Sequence, residues 1–512
     1  MLYLGNTMRV SEYDLCVIGG GINGAGIARD AAGRGLSVLL VEAGDLASAT
    51  SSASTKLIHG GLRYLEYLEF RLVRESLKER EILLGLAPHI IRPMDFVLPH
   101  DAGQRPAWMI RAGLFLYDHL AGRKKLQGSK SINLQAHVFG EPLKESFTKG
   151  FCYADCWADD ARLVVLNAMS AAAKGAHILT RTACTQLDPA PDHWMVSLKD
   201  LITGQDRQIK ADMVVNAAGP WVRGLLAESD LITPAVPQIR LVKGSHIVVR
   251  RRYKGEHSYI LQQPDRRIVF VIPYEGEFTL IGTTEVDFKG DPIDAAISYD
   301  EKEYLFRAYN NAFKDSIVQE DVVWTYSGVR PLFDDGGESS TSVTRDYHLH
   351  HHTESGAPMI SVFGGKLTTY RVLAEQVVNN LLNLDHRPGK SWTAHEALPG
   401  GDILDGDFAE FLRRKIAHYP FLPESLLYRY ARSYGTRMDR FLEGVQALEG
   451  LGRHFGDSIY EAEVVYLVRA EFARTAEDIL WRRSKLGLHV SAQTLKNLEK
   501  ALPTIAQREE AA

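Results

Sequence analysis

A glycine run near the N-terminus limits the fold more than any other part of this sequence. Gly19-Gly-Gly21-Ile-Asn-Gly24 follows an apolar segment, Tyr13-Asp-Leu-Cys-Val-Ile18, and precedes a helical pattern carried by Ile27, Ala28, Ala31 and Ala32. A second apolar segment, Ser37–Val41, ends in Glu42. This is a β-α-β unit with G-x-G-x-x-G at its first turn and an acidic residue about twenty positions on. Gly19 permits the tight turn, Gly21 brings backbone close to a pyrophosphate, Gly24 lets helix and strand pack, and Asn23 is a further cofactor-binding candidate in the same run. The helix N-terminus offers N–H groups and the positive end of its dipole to phosphates. Glu42 is placed to accept hydrogen bonds from ribose hydroxyls.

At 512 residues the chain exceeds one ordinary domain. A composition of 45% hydrophobic and 24% charged residues excludes a disordered or fibrous chain. The net charge of −5 gives no global attraction for nucleic acid, so an anionic partner needs a local Arg/Lys cluster. Four cysteines, Cys16, Cys152, Cys156 and Cys184, are too few for a disulfide scaffold and fit no zinc ribbon, which favours a reducing compartment. No apolar run approaches the roughly 18–20 residues that span a bilayer. The N-terminus does not read as a signal peptide, and Met8 is an alternative start to Met1. Along the chain, alternating signals run to about 225, strands and turns dominate from about 238 to 361, and helical patterns follow the Pro399-Gly400-Gly401 turn. The expected class is α/β: a Rossmann-type nucleotide-binding domain, an inserted mixed-sheet substrate domain and a C-terminal all-helical domain.

The segment after Glu42 separates the cofactors. The loop from Ala43 through Thr50, Ser51, Ser54, Lys56 and Leu57 to His59-Gly60-Gly61 is rich in hydroxyls and glycines. It suits a flavin ring lying along backbone amides, whereas a nicotinamide enzyme usually continues into further β-α units. The runs SSASTKLIHGGLRYLE (51–66), VVNAAGPWV (214–222), YSGVRPL (326–332), TRDY (344–347) and FGGKLTTYR (363–371) resemble the FAD-dependent glycerol-3-phosphate dehydrogenases of bacterial aerobic type. The resemblance extends into the tail, EVVYLVRAEFARTAEDILWRRSKLGL (463–488), and implies the D-amino-acid-oxidase-like fold. It implies an oxidoreductase region over 9–395 and a helical domain over 396–512. Within the first, FAD-binding segments fall at about 9–75, 151–225 and 345–395, and substrate segments at about 76–150 and 226–344.

The implied reaction is oxidation of sn-glycerol 3-phosphate to dihydroxyacetone phosphate, with electrons passed to a membrane quinone. It needs a hydride acceptor, a base and a phosphate holder. Arg330 and Arg345 occupy the family's substrate motifs, and a guanidinium fork matches phosphate oxygens. His59 is the first choice of base and His246 the second. Arg63 lowers a substrate or flavin pKa by its charge, and Lys366 serves the substrate or the flavin pyrimidine edge. Ala218, Gly219 and Trp221 resemble the second FAD contact, and Gly328, Gly365, Leu367 and Thr368 complete the family's flavin crevice. Asp155 and Asp159–Arg162 read as a helix N-cap and first turn. His348, His350 and His352 read as a solvated strand edge, so no metal is expected.

Trp108–Leu120, followed by Arg123-Lys124-Lys125, reads either as a helix lying in a membrane interface or as a core helix. Arg413-Arg414-Lys415 and Trp481–Lys485 are further basic patches for anionic lipid. Together with the quinone acceptor these place the protein in the cytoplasm, peripheral on the inner face of the cytoplasmic membrane. A homodimer stays open. The competing readings are a glycerol-3-phosphate oxidase that makes H2O2 from O2, an amino-acid oxidase relative, and a flavin-bound binding module without turnover.

Overall fold

The computed structural model describes residues 11–101, 103–122, 125–333, 346–352, 356–384 and 389–510, apart from the side chains of Arg63, Glu66 and Glu510. The chain begins with β1 (Ser11–Ile18), α1 (Ile22–Gly33), β2 (Val38–Val41), β3 (Leu57–Ile58), α2 (Phe70–Leu86), β4 (Ile91–His100), α3 (Ala107–His119), β5 (Lys130–Asn133) and β6 (Lys149–Ala158). It continues through α4 (Asp160–Ala173), β7 (His177–Leu179), β8 (Thr182–Pro189), β9 (Trp194–Asp200), β10 (Asp206–Asn216), α5 (Val222–Glu228) and β11 (Ile239–Arg250). Next come β12 (Ser258–Gln262), β13 (Ile268–Tyr274), β14 (Phe278–Gly282), β15 (Val286–Asp287), α6 (Tyr299–Ala312), β16 (Val322–Phe333), β17 (His348–His352), β18 (Met359–Phe363) and α7 (Tyr370–Leu384).

Two sheets divide these strands. The first runs β17-β18-β10-β1-β2-β7, with β9 and β8 continuing from β10. From β18 to β7 its pairs are parallel, which is why Leu15–Ile18 and all of β2 are buried and read as unbroken apolar runs. Helix α1 packs against both α4 and α7 and buries nearly its whole length, which favours the small residues, Ala and Gly, that make up over half of it. A Cβ on Gly26 would stand 2.7 Å from the Tyr370 ring. The second sheet runs β15-β11-β14-β13-β12-β4-β6-β3, with β16 on β11 and β5 on β6. Strand β6, grouped on sequence with the nucleotide-binding segments, therefore belongs to the substrate-side sheet.

Beyond residue 400 lie α8 (Phe408–His418), α9 (Glu424–Tyr434), α10 (Asp439–Leu442), the hairpin β19 (His454–Gly456) and β20 (Ile459–Tyr460), α11 (Glu461–Glu471) and α12 (Ala492–Glu510). The unit has its own core, with Leu427, Tyr430, Leu467 and Leu498 at its centre. Apart from this short hairpin the unit is helical, as expected. Two acids of the expected N-cap separate: Asp159 caps α4 by accepting from Arg162 N at 3.2 Å, whereas Asp155 lies in β6 and accepts from the Tyr117 hydroxyl at 2.7 Å.

Candidate active site

The first turn of the β-α-β unit is a closed cradle. Gly19 has φ +108°, and a Cβ on Gly24 would fall on the Gly19 carbonyl oxygen, so neither position admits a side chain. Glu42, at the end of β2, accepts from Gly20 N at 2.6 Å and Gly44 N at 2.7 Å. Burial raises its carboxyl pKa, and these two N–H groups partly offset the rise. Helix α1 has no acidic residue in its first turn and no side-chain cap from Gly21, while Ile22 N donates to Ser51 Oγ at 3.0 Å. The Ser51 hydroxyl thus sits at the α1 N-terminus, and the first turn of the helix itself carries no acidic residue to repel an anion. Asn23 Nδ2 donates to Gly364 O at 3.1 Å, which seats the Gly364-Gly365 loop on the same helix end. Gly219, φ +56°, opens a short turn into Trp221, whose indole N–H donates to Asp291 at 3.1 Å. Ala218 N donates to Asn216 Oδ1 at 3.2 Å.

The loop after Glu42 is tied down at both edges. Thr50 Oγ1 donates to Val329 O at 2.6 Å, Tyr326 donates to Ser54 O at 2.8 Å, and a Cβ on Gly328 would stand 2.8 Å from Ala53 Cβ. On the other side Ser54 Oγ donates to Asp160 at 2.7 Å. Lys56, buried and at φ +60°, places Nζ 2.9 Å from both Asp160 oxygens and from Ser52 O. Burial opposes the Asp160 charge, but Lys56, Lys485 and Ser54 together hold its carboxyl below the usual range. The Lys56 ammonium is a strut that fixes the loop expected to hold the cofactor. Leu57 is buried in β3.

On the substrate side the structure brings His59, Thr368 and Lys366 to one end of this loop. His59 N donates to Thr368 Oγ1 at 3.3 Å, next to the half-buried Leu367, and Lys366 Nζ lies 4.3 Å from the centre of the Tyr64 ring. Arg330 in β16 pairs with Glu285 at 3.3 Å, and the absent side chain of Gly244 leaves room for its guanidinium. His246 is buried, stacks on Tyr326 at 4.7 Å, and its Nε2 lies 3.0 Å from Thr55 Oγ1. Burial first, then the charges of Lys56 and Arg330, push its pKa down to about 3. The Arg63 side chain and Arg345 lie outside the described residues. Sequence reasoning does not single out Tyr64, Glu285 or Tyr326, although Tyr64 and Tyr326 stand inside motifs that it does.

Helix α3 is no core helix. It buries only Leu114 and Tyr117, while Trp108 is 71% and Phe115 54% exposed and Met109 and Leu116 are exposed beside them. The turn Leu62–Tyr67 packs against it and is followed by exposed Leu68 and Phe70. Arg123 and Lys124 lie outside the described residues, and Lys125 donates to Asp405 O at 3.1 Å. Arg413 and Arg414 are exposed and pair with Glu410. Trp481–Lys485 corrects an expectation: Arg482, Arg483 and Lys485 are buried and cannot face lipid. Among the described residues no helix is long and apolar enough to cross a membrane.

A nucleotide cradle on a parallel sheet, joined to a second sheet that carries cationic side chains, defines a flavoprotein oxidoreductase. The chain belongs to the FAD dependent oxidoreductase family, whose profile matches residues 14–371, and residues 391–510 match the C-terminal domain of alpha-glycerophosphate oxidase. It is 52% identical to the D-erythritol 1-phosphate dehydrogenase of Brucella abortus (strain 2308), covering 93% of this chain and 95% of that one. It is 51% identical to the aerobic glycerol-3-phosphate dehydrogenase of Escherichia coli (strain K12), covering 97% and 98%. The glycerol-3-phosphate dehydrogenase of Bacillus halodurans, solved in complex with FAD, superposes with a TM-score of 0.77 at 28% identity, covering 98% and 91%. The cofactor is FAD, and the glycine cradle, the α1 N-terminus with no acidic residue in its first turn and Glu42 fit its pyrophosphate and adenosine ribose.

Proposed function

We propose that this protein oxidises sn-glycerol 3-phosphate to dihydroxyacetone phosphate and delivers the electrons to a membrane quinone. The observation that carries the reading is the 51% identity, over nearly the whole of both chains, to the E. coli aerobic glycerol-3-phosphate dehydrogenase. FAD, when bound, accepts the hydride from C2 of the substrate. Arg330, with Arg345 and Lys366, holds the phosphate, and the fork of a guanidinium suits that task better than a point charge. His59 takes the C2 hydroxyl proton. The ties from Thr50, Ser54 and Lys56 keep the flavin loop rigid, so that substrate and cofactor meet in one geometry. The exposed apolar side of α3, with Tyr67, Leu68 and Phe70, lies against the headgroup region of an anionic membrane.

The Brucella relative supports a second reading, in which the substrate is D-erythritol 1-phosphate. Both compounds are polyol phosphates and use the same phosphate clamp. Anaerobic titration of the flavin absorbance with each compound separates the two. Bleaching at low concentrations of glycerol 3-phosphate is expected; bleaching by D-erythritol 1-phosphate alone transfers the assignment, and bleaching by neither removes both. Reoxidation by a quinone analogue far faster than by air supports the dehydrogenase over an oxidase.

A further inference from the structure

The buried basic run at 481–485 has a partner, and that partner lies beside the nucleotide cradle. Asp45 stands three residues after Glu42 and is buried. Its carboxylate accepts from Arg482 Nε at 2.6 Å and from Arg483 Nη2 at 2.8 Å, and Arg483 Nη1 closes the fork. Arg181 approaches the same carboxylate at 3.5 Å. A second carboxylate organises the arginines: Asp478 accepts from Arg482 Nη2 at 2.6 Å and Arg181 Nη2 at 2.7 Å, and from the backbone N–H groups of Arg474 and Thr475. Burial opposes the Asp478 charge, but Arg181 and these neighbours hold its carboxyl well below the usual range. Arg483 is wholly buried and also donates from Nε to Glu471 O at 2.9 Å.

The backbone of the same turn is part of the cradle. Ala47 N donates to Gly20 O at 3.1 Å, Gly44 N donates to Glu42 at 2.7 Å, and a Cβ on Gly20 would stand 3.0 Å from Leu46 Cδ2. Moving Asp45 moves Gly44–Ala47, and with it the seat of Glu42 and Gly20. We propose that Arg482 and Arg483 of the C-terminal domain are positioning residues for FAD: by clamping Asp45 they hold the adenosine-side wall of the cradle without touching the cofactor. The domain thereby contributes to cofactor retention from outside the nucleotide-binding fold. The inference rests on the FAD cradle and is independent of which polyol phosphate is oxidised.

The test uses the full-length holoenzyme. FAD release is followed by the recovery of flavin fluorescence, and the dissociation constants of FAD and of ADP, which carries only the adenosine half, are measured on stripped protein. Asp45→Asn and Arg483→Met are each expected to raise both constants at least tenfold, by the same factor, while the spectrum of the FAD that remains bound is unchanged. Arg429→Met with Glu463→Leu is the control. Arg429 and Glu463 form another largely buried pair, inside the C-terminal domain and away from the cradle. The control should lower Tm and leave both constants unaltered. Unchanged FAD and ADP affinity in Asp45→Asn and Arg483→Met overturns the proposal, as does an equal loss in the control. A loss confined to FAD, with ADP binding intact, also overturns it. If Arg483→Met does not fold, Arg482→Lys, which keeps the charge and loses the fork, is read by its FAD release rate. A rate equal to wild type then refutes the clamp.

Discussion

Replacing Arg330 by Lys keeps a positive charge and removes the two-pronged donor, and the structure sets the size of the effect. The guanidinium lies at the edge of the substrate-side sheet with a side chain 28% exposed, paired through one nitrogen with Glu285, which is only 7% exposed. Alanine is the wrong probe. It removes the ion pair with Glu285 together with the phosphate contact, so the result mixes folding with binding. Lysine loses about one charge-assisted hydrogen bond to the phosphate, roughly 1.5–3 kcal/mol, and partial solvation of the site favours the lower end. A rise in KM of roughly 10- to 50-fold results, since about 1.4 kcal/mol corresponds to tenfold. Rapid-mixing flavin reduction under anaerobic conditions, run against substrate concentration, reads this directly. Tm checks the fold, and Arg413→Lys on exposed α8 is the control. A KM within twofold of wild type, at unchanged Tm, refutes the idea that the Arg330 fork grips the phosphate.

Glu285→Gln keeps a hydrogen-bond acceptor for Arg330 and removes one negative charge beside the clamp, so KM for the phosphate substrate should fall several-fold; an unchanged or raised KM counts against the site. Glu42→Ala should speed FAD release without altering the far-ultraviolet circular dichroism, because it removes contacts in the cradle and no core packing. Burial, followed by the charge of Asp159, pushes Glu275 up to about 7, above its unfolded value, so the stability from its protonated form is full below about pH 4.3 and lost as pH rises through 7. Glu275→Gln should accordingly raise Tm relative to wild type at pH 8, by an amount equivalent to about 1–3 kcal/mol, and make little difference at about pH 4.5. Asp at Trp108, Phe115 and Leu116 should release the protein from anionic vesicles in a flotation assay with FAD retained, whereas Asp at Leu114, which is buried, should lower Tm.

The parts of this fold legible in the sequence are those whose physics is local. Gly19, Gly21, Gly24 and Glu42 can be read because sterics and hydrogen bonding fix their spacing within one β-α-β unit. Thr50, Ser51 and Ser54 can be located because a hydroxyl-rich loop directly follows that unit. Lys56 can be placed in the loop, yet its role cannot be read, since its counter-ion Asp160 arrives more than a hundred positions later by way of the second sheet. Helix α3 is ambiguous on sequence for a related reason: apolar residues at helical spacing define a face, and only the neighbours decide what covers it. Here the neighbours cover Leu114 and Tyr117 and leave Trp108 and Phe115 to the outside. Trp481–Lys485 misleads most. Three cations in five residues read as a solvated or lipid-facing patch, because an unpaired charge belongs in a polar medium. Asp45 arrives from the nucleotide-binding unit to join Asp478, four residues before Arg482, and once those carboxylates are gathered the two arginines are stable in the interior. A charge run therefore carries little information about exposure until its counter-charges are located. In this molecule locating them turns a supposed membrane patch into the contact between the C-terminal domain and the FAD cradle.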